Sequence, residues 1–347
     1  MKNEVTVRFK SGRISFQWVK KTMWTVLFLS VAALILFIAS LSVGSSYISP
    51  VAVAAHLLGY GDGSHEFVLN TLRLPRAILA FMVGAALGTA GLILQGIIRN
   101  PLASPDIIGI TSGASVGAII FIAYVMGTVS IIWLPLWAIG GAAAAALLIY
   151  SLSWKKGVTP IRLVLMGIGI AALMKAFVTM TLVMSEAAVT TKAYIWLTGS
   201  LYGAAWTDVY AMLPWLLLFI PAALLYARLM NALELGDDVA KSLGIGIEVQ
   251  RFGLLLISVV LAGSAVAFAG GIEFVGLIAP HIGRMLVGRS YAGLALVSAL
   301  TGGILVMAAD IVARTAFLPL DVPAGVFTAA IGAPFFIYLL YRNRNHV

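Results

Sequence analysis

The sequence predicts an all-α membrane protein with ten transmembrane helices and both termini in the cytoplasm. Of its 347 residues, 61% are hydrophobic and only 10% are charged, whereas a soluble domain carries about 25% charged residues. Apolar stretches recur along the chain, and most reach the ~20 residues that a helix needs to cross a bilayer. The predicted spans are residues 24–43, 77–98, 107–126, 131–150, 161–184, 209–229, 252–272, 274–288, 292–313 and 324–341.

The positions of Lys and Arg support this count and orient the chain. If the N-terminus lies inside and the spans alternate, 17 of the 22 basic residues fall inside. Four fall outside (Arg73, Arg76, Lys192 and Arg314), and Lys175 lies within the fifth span. An excess of basic residues in cytoplasmic loops is the orientation signal of membrane helices. The net charge of +9 is therefore a topology signal and does not indicate binding to nucleic acid.

The chain divides into three parts. A basic segment at 1–23 is predicted to lie on the inner membrane surface, a ten-helix domain covers 24–341, and a cytoplasmic tail covers 342–347. The longest outside connection, 44–76, contains a predicted short helix at 50–58, and the longest inside connection is 230–251. The eighth span is short and contains Pro280, so a broken or re-entrant helix is predicted there.

A weak internal repeat suggests that the two halves are related. Residues 84–91 and 263–270 share Gly, Ala, Ala and Gly at four matched places. Each half would hold five spans, so the halves would have opposite orientations, which is typical of transporters. Chance recurrence of small residues in glycine-rich helices is the alternative. The small face of Gly109, Gly113 and Gly117 on the third span favours tight internal helix packing.

Catalytic and metal-binding patterns are weak in this sequence. Residues 113–117 match G-x-S-x-G, but in an apolar helical run rather than the strand-to-helix turn that this motif requires. An intramembrane protease pairing Ser115 with His281 is the enzyme alternative. The chain has no Cys, and its four His residues lack metal-ligand spacing. We therefore predict no catalytic residue, no metal site and no directly bound cofactor.

Two inside segments are predicted to be rigid turns. The first runs from Arg99 through Asn100 and Pro101, with Asp106 at the start of the third helix, where a carboxylate favours the helix dipole. The second contains Pro280, His281 and Arg284. Prolines and asparagine favour compact non-helical turns, and neither segment resembles a catalytic site.

The fifth span carries an unusual charge. Lys175 lies near its middle, and an intramembrane lysine is costly enough to suggest a function. With Thr179 and Met180 it is a candidate for the substrate pathway. Snorkelling of the lysine to the membrane surface, or pairing with a carboxylate, is an equal alternative.

Residues 238–244 resemble the E-A-A-x-x-x-G loop of membrane subunits in ATP-binding cassette (ABC) importers. Asp238 stands for Glu, while Ala240 and Gly244 match in register. A short helix there is predicted to insert into a groove of a soluble ATPase. An ordinary solvated loop helix is the alternative.

With this loop, motifs along nearly the whole chain resemble the membrane permeases of bacterial iron–siderophore, haem and cobalamin ABC importers, known as FecCD-type permeases of type II importers. These motifs are residues 73–76, 84–105, 196–200, 274–284, 309–310, 322–326 and 332–334. Ala324 departs from the usual family residue, and we expect little consequence.

The resemblance implies a set of partners. These are a second permease chain, identical or related, two cytoplasmic ATPases that bind ATP and Mg²⁺, and an extracytoplasmic binding protein that delivers a metal chelate. The outside arginines Arg73, Arg76 and Arg314 match positions that meet acidic residues of the binding protein. The residues expected to couple to the ATPase are Asp237, Asp238, Ala240, Lys241, Ser242, Leu243 and Gly244.

The resemblance also implies a location and a cargo. The chain would be a multi-pass protein of the bacterial cytoplasmic membrane that carries an iron chelate, with a ferric siderophore expected first. Haem and cobalamin remain family alternatives. A secondary transporter coupled to protons or sodium through Lys175, Asp310 or Glu273 is the alternative outside the family.

Overall fold

In this computed structural model, residues 4–8, 15–61, 63–106, 108–155, 157–234, 236–242, 244–288 and 290–343 are described. Their fold is helical apart from an N-terminal hairpin of two antiparallel strands that the sequence pattern does not predict, β1 (Glu4–Arg8) and β2 (Ser15–Val19). The longer helices are α1 (Lys20–Ser42), α3 (Leu74–Ile98), α5 (Leu134–Ser153), α6 (Pro160–Val183), α8 (Trp206–Leu225), α11 (Ile247–Ala269), α13 (Tyr291–Thr315) and α14 (Ala324–Asn343). The shorter helices are α2 (Pro50–Leu57), α4 (Ile110–Ile120), α7 (Ala187–Thr198), α9 (Ala227–Glu234), α10 (Asp237–Ser242) and α12 (Val275–Val287).

Within the described residues, eight helical segments are long and apolar enough to cross a membrane. Two shorter apolar segments, Ile110–Val125 and Val275–Val287, fall on the third and eighth predicted spans. Each of the ten predicted spans therefore overlaps an apolar helix. The predicted helix at 50–58 is confirmed as α2, whereas α7 lies in a connection for which no helix is predicted.

Helix α3 is the centre of the bundle. Its apolar window is 89% buried, compared with 17% for α6, and a helix that is apolar all round is suited to a buried position. Close backbone contact makes this burial possible. A Cβ atom added to Gly84 would lie 2.1 Å from the Gly302 carbonyl oxygen on α13, and one added to Gly91 would lie 1.8 Å from that of Gly276 on α12.

The small face of the third span packs inside the protein, as predicted. Ideal Cβ atoms on Gly113 and Gly117 of α4 would meet the backbone of Gly141 and Trp137 on α5 at 2.6 Å and 2.1 Å. The predicted position of Asp106 is wrong, because α4 begins four residues later, at Ile110. Its carboxylate instead accepts a hydrogen bond of 2.5 Å from the Thr111 hydroxyl.

The predicted break at Pro280 is also wrong, because α12 continues through this proline. Proline has no N–H, so the carbonyl four residues earlier, on Gly276, loses its usual helical donor. The side-chain amide of Gln95 on α3 donates to that carbonyl at 3.3 Å. A buried side chain of another helix thus replaces the missing hydrogen bond, and α12 stays helical but short.

Helix α7 ends in a junction with two other helices. The backbone N–H of Ser200 donates to the Ala269 carbonyl at the end of α11 (2.8 Å), and that of Gly325 on α14 donates to the Gly199 carbonyl (2.9 Å). The motif at 196–200 therefore lies where α7, α11 and α14 meet. Gly199 has a φ of 82°, which only glycine adopts readily.

Candidate functional site

Arg73, a predicted docking residue, closes the C-terminus of α1. Its Nη1 atom donates to the carbonyls of Leu41 and Ser42 at 2.6 Å and 3.1 Å. Its Nη2 atom donates to the Ser46 carbonyl at 2.5 Å. The last carbonyls of a helix lack intrahelical donors, and Arg73 supplies them from a position that is 5% exposed.

Arg314 completes the same helix end. Its Nη2 atom donates to the carbonyl of Ser40 and, at 2.9 Å, to the Ser40 hydroxyl. Its Nε atom lies 3.6 Å from an oxygen of Asp310, one helical turn earlier. The two residues are four positions apart, the spacing at which opposite charges meet on a helix.

Arg76 contacts two carboxylates that are more than 230 residues away from it in the sequence. It donates from Nε to Asp310 at 2.9 Å and from Nη1 to Asp321 at 2.6 Å. The sequence pattern misses Asp321, since no motif marks it. We name Arg73, Arg76, Arg314, Asp310 and Asp321 the outer charge cluster. A docking protein would have to compete with internal partners for these arginines, so their docking role stays a prediction.

The predicted coupling helix is present as α10. Its first residue, Asp237, accepts from Arg99 at the end of α3 and, at 3.1 Å, from Arg251 on α11. Burial disfavours the charged form of Asp237, but the hydrogen bonds and charges of Arg251 and Arg99 outweigh this and hold its pKa below the usual value. Arg251 is 2% exposed, so α10 is held by a buried guanidinium of the bundle.

Helix α10 has one buried position and an otherwise open surface after Asp237. Ala240 is fully buried, whereas Asp238, Lys241 and Ser242 are exposed. Gly244 has a φ of 78° and its N–H donates to the Lys241 carbonyl at 2.9 Å, so this glycine permits the turn that ends the helix. Leu243, also assigned to this site, lies outside the described residues.

Of the two predicted turns, the first is present and the second is wrong, because the segment around Pro280 is helical within α12. Arg99 closes α3 in a left-handed conformation with a φ of 55°, and the Asn100 side chain accepts from the backbone N–H of Leu102 at 2.9 Å, stabilising the turn at Pro101. Where α12 packs against α3, Arg284 of α12 donates to the side-chain oxygen of Gln95 on α3. The sequence pattern does not single out Gln95.

The His281 ring packs against an aromatic side chain. Its ring centroid lies 5.4 Å from that of Phe335 on α14 in an edge-on arrangement. The hydroxyl of Ser115 donates to the Thr111 carbonyl one turn earlier in the chain. In the described structure, no group of three or more His, Asp or Glu residues could hold a metal.

The predicted pathway residues lie together on the open surface of α6. Lys175, Thr179 and Met180 are all exposed, and the Thr179 hydroxyl donates to the Lys175 carbonyl at 2.9 Å. Among the residues that the structure describes, Lys175 has no ion pair. This face of the chain therefore presents an unpaired charge and large apolar side chains.

The apolar helical bundle, with eight helices long and apolar enough to cross a membrane among the described residues, is that of a multi-pass membrane permease. The chain belongs to the FecCD transport family, whose model matches residues 32–342. It is 47% identical to the achromobactin transport system permease protein CbrC of Dickeya dadantii over 97% of each chain.

Two further comparisons agree with this family. The chain is 43% identical to the cobalamin import system permease protein BtuC of Halobacterium salinarum, over 85% of this chain and 79% of that protein. It also resembles a solved inward-facing ABC transporter assigned to the metal-chelate type, with a TM-score of 0.81 and 29% identity over 92% of this chain and 99% of the other.

Proposed function

We propose that this chain is the permease subunit of an ABC importer that carries an iron chelate, a ferric siderophore, across the cytoplasmic membrane. The observation that carries the proposal is that α10 is anchored at its first residue and exposed beyond it. This helix is tied to the bundle through Asp237, Arg99 and Arg251. The side chains of Asp238, Lys241 and Ser242 are exposed. A rigid inside helix with a free polar face is suited to transmit motion from another protein.

The driving partner is an ATPase pair that binds ATP and Mg²⁺, because a permease without a catalytic site needs an external source of energy. Movement of α10 would reach α3 through Arg99 and α11 through Arg251. These are the buried central helices, so their tilting would alternate access to the two sides. Ten spans in two inverted halves, with both termini inside, complete the proposed architecture.

The second permease chain covers the open face of α6. Large apolar side chains on this face, Leu165, Leu173 and Met180, are each more than 60% exposed. Lys175 lies among them, at the seam where two chains would enclose a pathway. Ferric siderophores are often anionic or rich in oxygen, so a lysine there would attract them.

The outer charge cluster is the proposed docking face for an extracytoplasmic binding protein. Its most accessible pair is Arg76 with Asp321, whose side chains are 12% and 23% exposed. Acidic groups of the binding protein would compete with Asp321 for Arg76. Charged contacts at such a rim affect association rate and orientation more than affinity.

The test is chelate-stimulated ATP hydrolysis by the purified complex in lipid vesicles. The double substitution Asp238→Lys with Lys241→Glu reverses the charges on the open face. It should weaken binding of the ATPase by about 1.4 kcal/mol, which is a tenfold loss of affinity. Less ATPase should then co-purify with the chain, and uptake should fall about tenfold. Lys155→Glu, at another exposed inside residue, is the matched control. Uptake that persists without any ATPase but stops with an uncoupler would replace the proposal with a secondary transporter.

The same vesicles test the cargo. A ferric siderophore should stimulate hydrolysis when its binding protein is present. The identity to CbrC supports this choice, whereas the identity to BtuC makes cobalamin the second candidate. Stimulation by cobalamin or haem, and not by any ferric siderophore, would overturn the iron assignment and leave the importer assignment intact.

A further inference from the structure

The backbone immediately before α6 is packed inside the protein. Gly157 and Val158 are buried, and Pro160 begins the helix. Gly157 has a φ of 111°, which favours glycine, and a Cβ atom there would lie 2.6 Å from an oxygen of Glu248 on α11. We name residues 157–159 the α6 entry segment. Its conformation and packing leave it little room to move independently of its neighbours.

Helix α6 is fixed to the α6 entry segment by contacts in its first turn. The Arg162 Nε atom donates to the Thr159 hydroxyl at 3.0 Å, and its Nη1 atom donates to the Ser153 carbonyl at the end of α5 at 3.2 Å. The backbone N–H of Leu163 donates to the Thr159 carbonyl at 3.1 Å. A displacement of the entry segment would therefore reach α6 directly.

Two side chains of α11 hold the α6 entry segment through the backbone of Val158. The Val158 N–H donates to Glu248 Oε2 at 3.1 Å, and the Val158 carbonyl accepts from Arg251 Nη1. Val158 is 1% exposed. Loss of either partner would leave a buried backbone group unpaired, which is costly. The entry segment is therefore bound firmly to α11.

The same guanidinium of Arg251 holds the first residue of α10. Its Nη2 atom donates to both carboxylate oxygens of Asp237, at 3.1 Å each. A guanidinium is planar, so the directions of its donors are fixed relative to one another. Arg251 is 2% exposed. One rigid, buried group thus joins α10 to the α6 entry segment.

We propose that Arg251 is a positioning residue of transport, which transmits the displacement of α10 to α6 through the carbonyl of Val158. This inference rests on the proposed function, because it requires that an ATPase moves α10. It goes further by assigning the movement to α6, the helix that carries Lys175, in addition to α3 and α11.

The test compares uptake of a ferric siderophore with ATP hydrolysis in the same vesicles, which hold the complete complex with its binding protein. Arg251→Lys keeps a positive charge beside Asp237 but loses the planar fork that reaches Asp237 and Val158 together. The amount of chelate carried per ATP hydrolysed should fall about fivefold, as expected for loss of coupling between two sites, while the ATPase still co-purifies. Arg342→Lys, at an exposed arginine in the last turn of α14, is the matched control.

A second pair of variants leaves Arg251 and Asp237 unchanged. The Glu248 side chain is 44% exposed, so the fold should tolerate its replacement. Glu248→Ala removes the acceptor of the Val158 N–H and should lower the ratio of uptake to hydrolysis about twofold. Glu248→Gln keeps an oxygen acceptor and should retain the wild-type ratio. If Arg251→Lys fails to assemble with its partners, this pair decides the inference.

A lower ratio in Arg251→Lys or Glu248→Ala, with Glu248→Gln and Arg342→Lys at the wild-type value, supports the inference. Wild-type ratios in both Arg251→Lys and Glu248→Ala, including uptake and hydrolysis that fall in equal proportion, overturn it, because these contacts then serve stability or assembly alone. A wild-type complex in which no chelate stimulates hydrolysis would overturn the proposed function and the inference with it. The two failures are therefore distinguishable.

Discussion

At the scale of single residues, one arginine can serve the fold and a partner at once. Arg73 matches a docking position of the family, yet it is buried and donates to three carbonyls at and beyond the end of α1. The family resemblance does not predict these hydrogen bonds. The capping role follows from geometry, whereas the docking role follows from resemblance, and the two give different results on substitution.

Substitution of Arg73 by Ala should lower the stability of the purified chain by about 3 kcal/mol, because three carbonyls lose a charged donor. Thermal unfolding in detergent would measure this change. Arg73→Lys should restore part of the stability, since an ammonium keeps the charge but loses the planar set of donors. An unchanged melting temperature for Arg73→Ala, with weaker binding of the docking protein, would assign Arg73 to docking alone.

At the scale of helices, small residues determine how the bundle closes. Helix α3 can lie at the centre because Gly84, Gly88 and Gly91 leave room for the backbones of α12 and α13. Lipid is as apolar as a protein core, so close packing rather than hydrophobic burial must hold membrane helices together. The same contact brings Gln95 to the carbonyl that Pro280 leaves free.

Gly91→Ala should destabilise the chain by about 3 kcal/mol, because its Cβ would lie 1.8 Å from the Gly276 carbonyl oxygen and the two backbones would have to separate. Gly140→Ala on α5 is the matched control, since its Cβ would meet nothing within 4 Å. Thermal unfolding of both variants checks the prediction. Equal melting temperatures would show that α3 and α12 lie farther apart.

At the scale of the whole molecule, the helices differ widely in how much of their apolar surface is buried. The buried centre is α3, while the apolar windows of α5, α6 and α8 are 22% buried or less. Such helices can contact lipid or a partner. Lys175 on α6 is poorly suited to lipid, which is the physical reason to place a second permease against that helix.

The topology can be tested directly because the chain has no cysteine. Lys192→Cys, on α7, should react with a membrane-impermeant maleimide added outside intact cells. Lys155→Cys, in the connection after α5, should react only after the membrane is permeabilised. Both lysines are exposed in the structure. Labelling of the two positions from the same side would contradict the ten-span arrangement.

The helical class, the positions of the apolar spans and the short helix α10 could all be predicted from the sequence. Hydropathy, the bias of Lys and Arg, and the Ala240 and Gly244 pattern are local properties, so neighbouring residues are sufficient to read them. Helix boundaries also depend on contacts with other helices, and the predicted start of α4 and the predicted break in α12 are both wrong.

The pairing of polar side chains across the bundle could not be predicted from the sequence. Arg76 reaches Asp310 and Asp321 across more than 230 residues, and Gln95 reaches Gly276 across 181. An unpaired polar group inside an apolar bundle is costly, so these contacts stabilise the fold. The partners lie on helices and connections that no sequence pattern brings together.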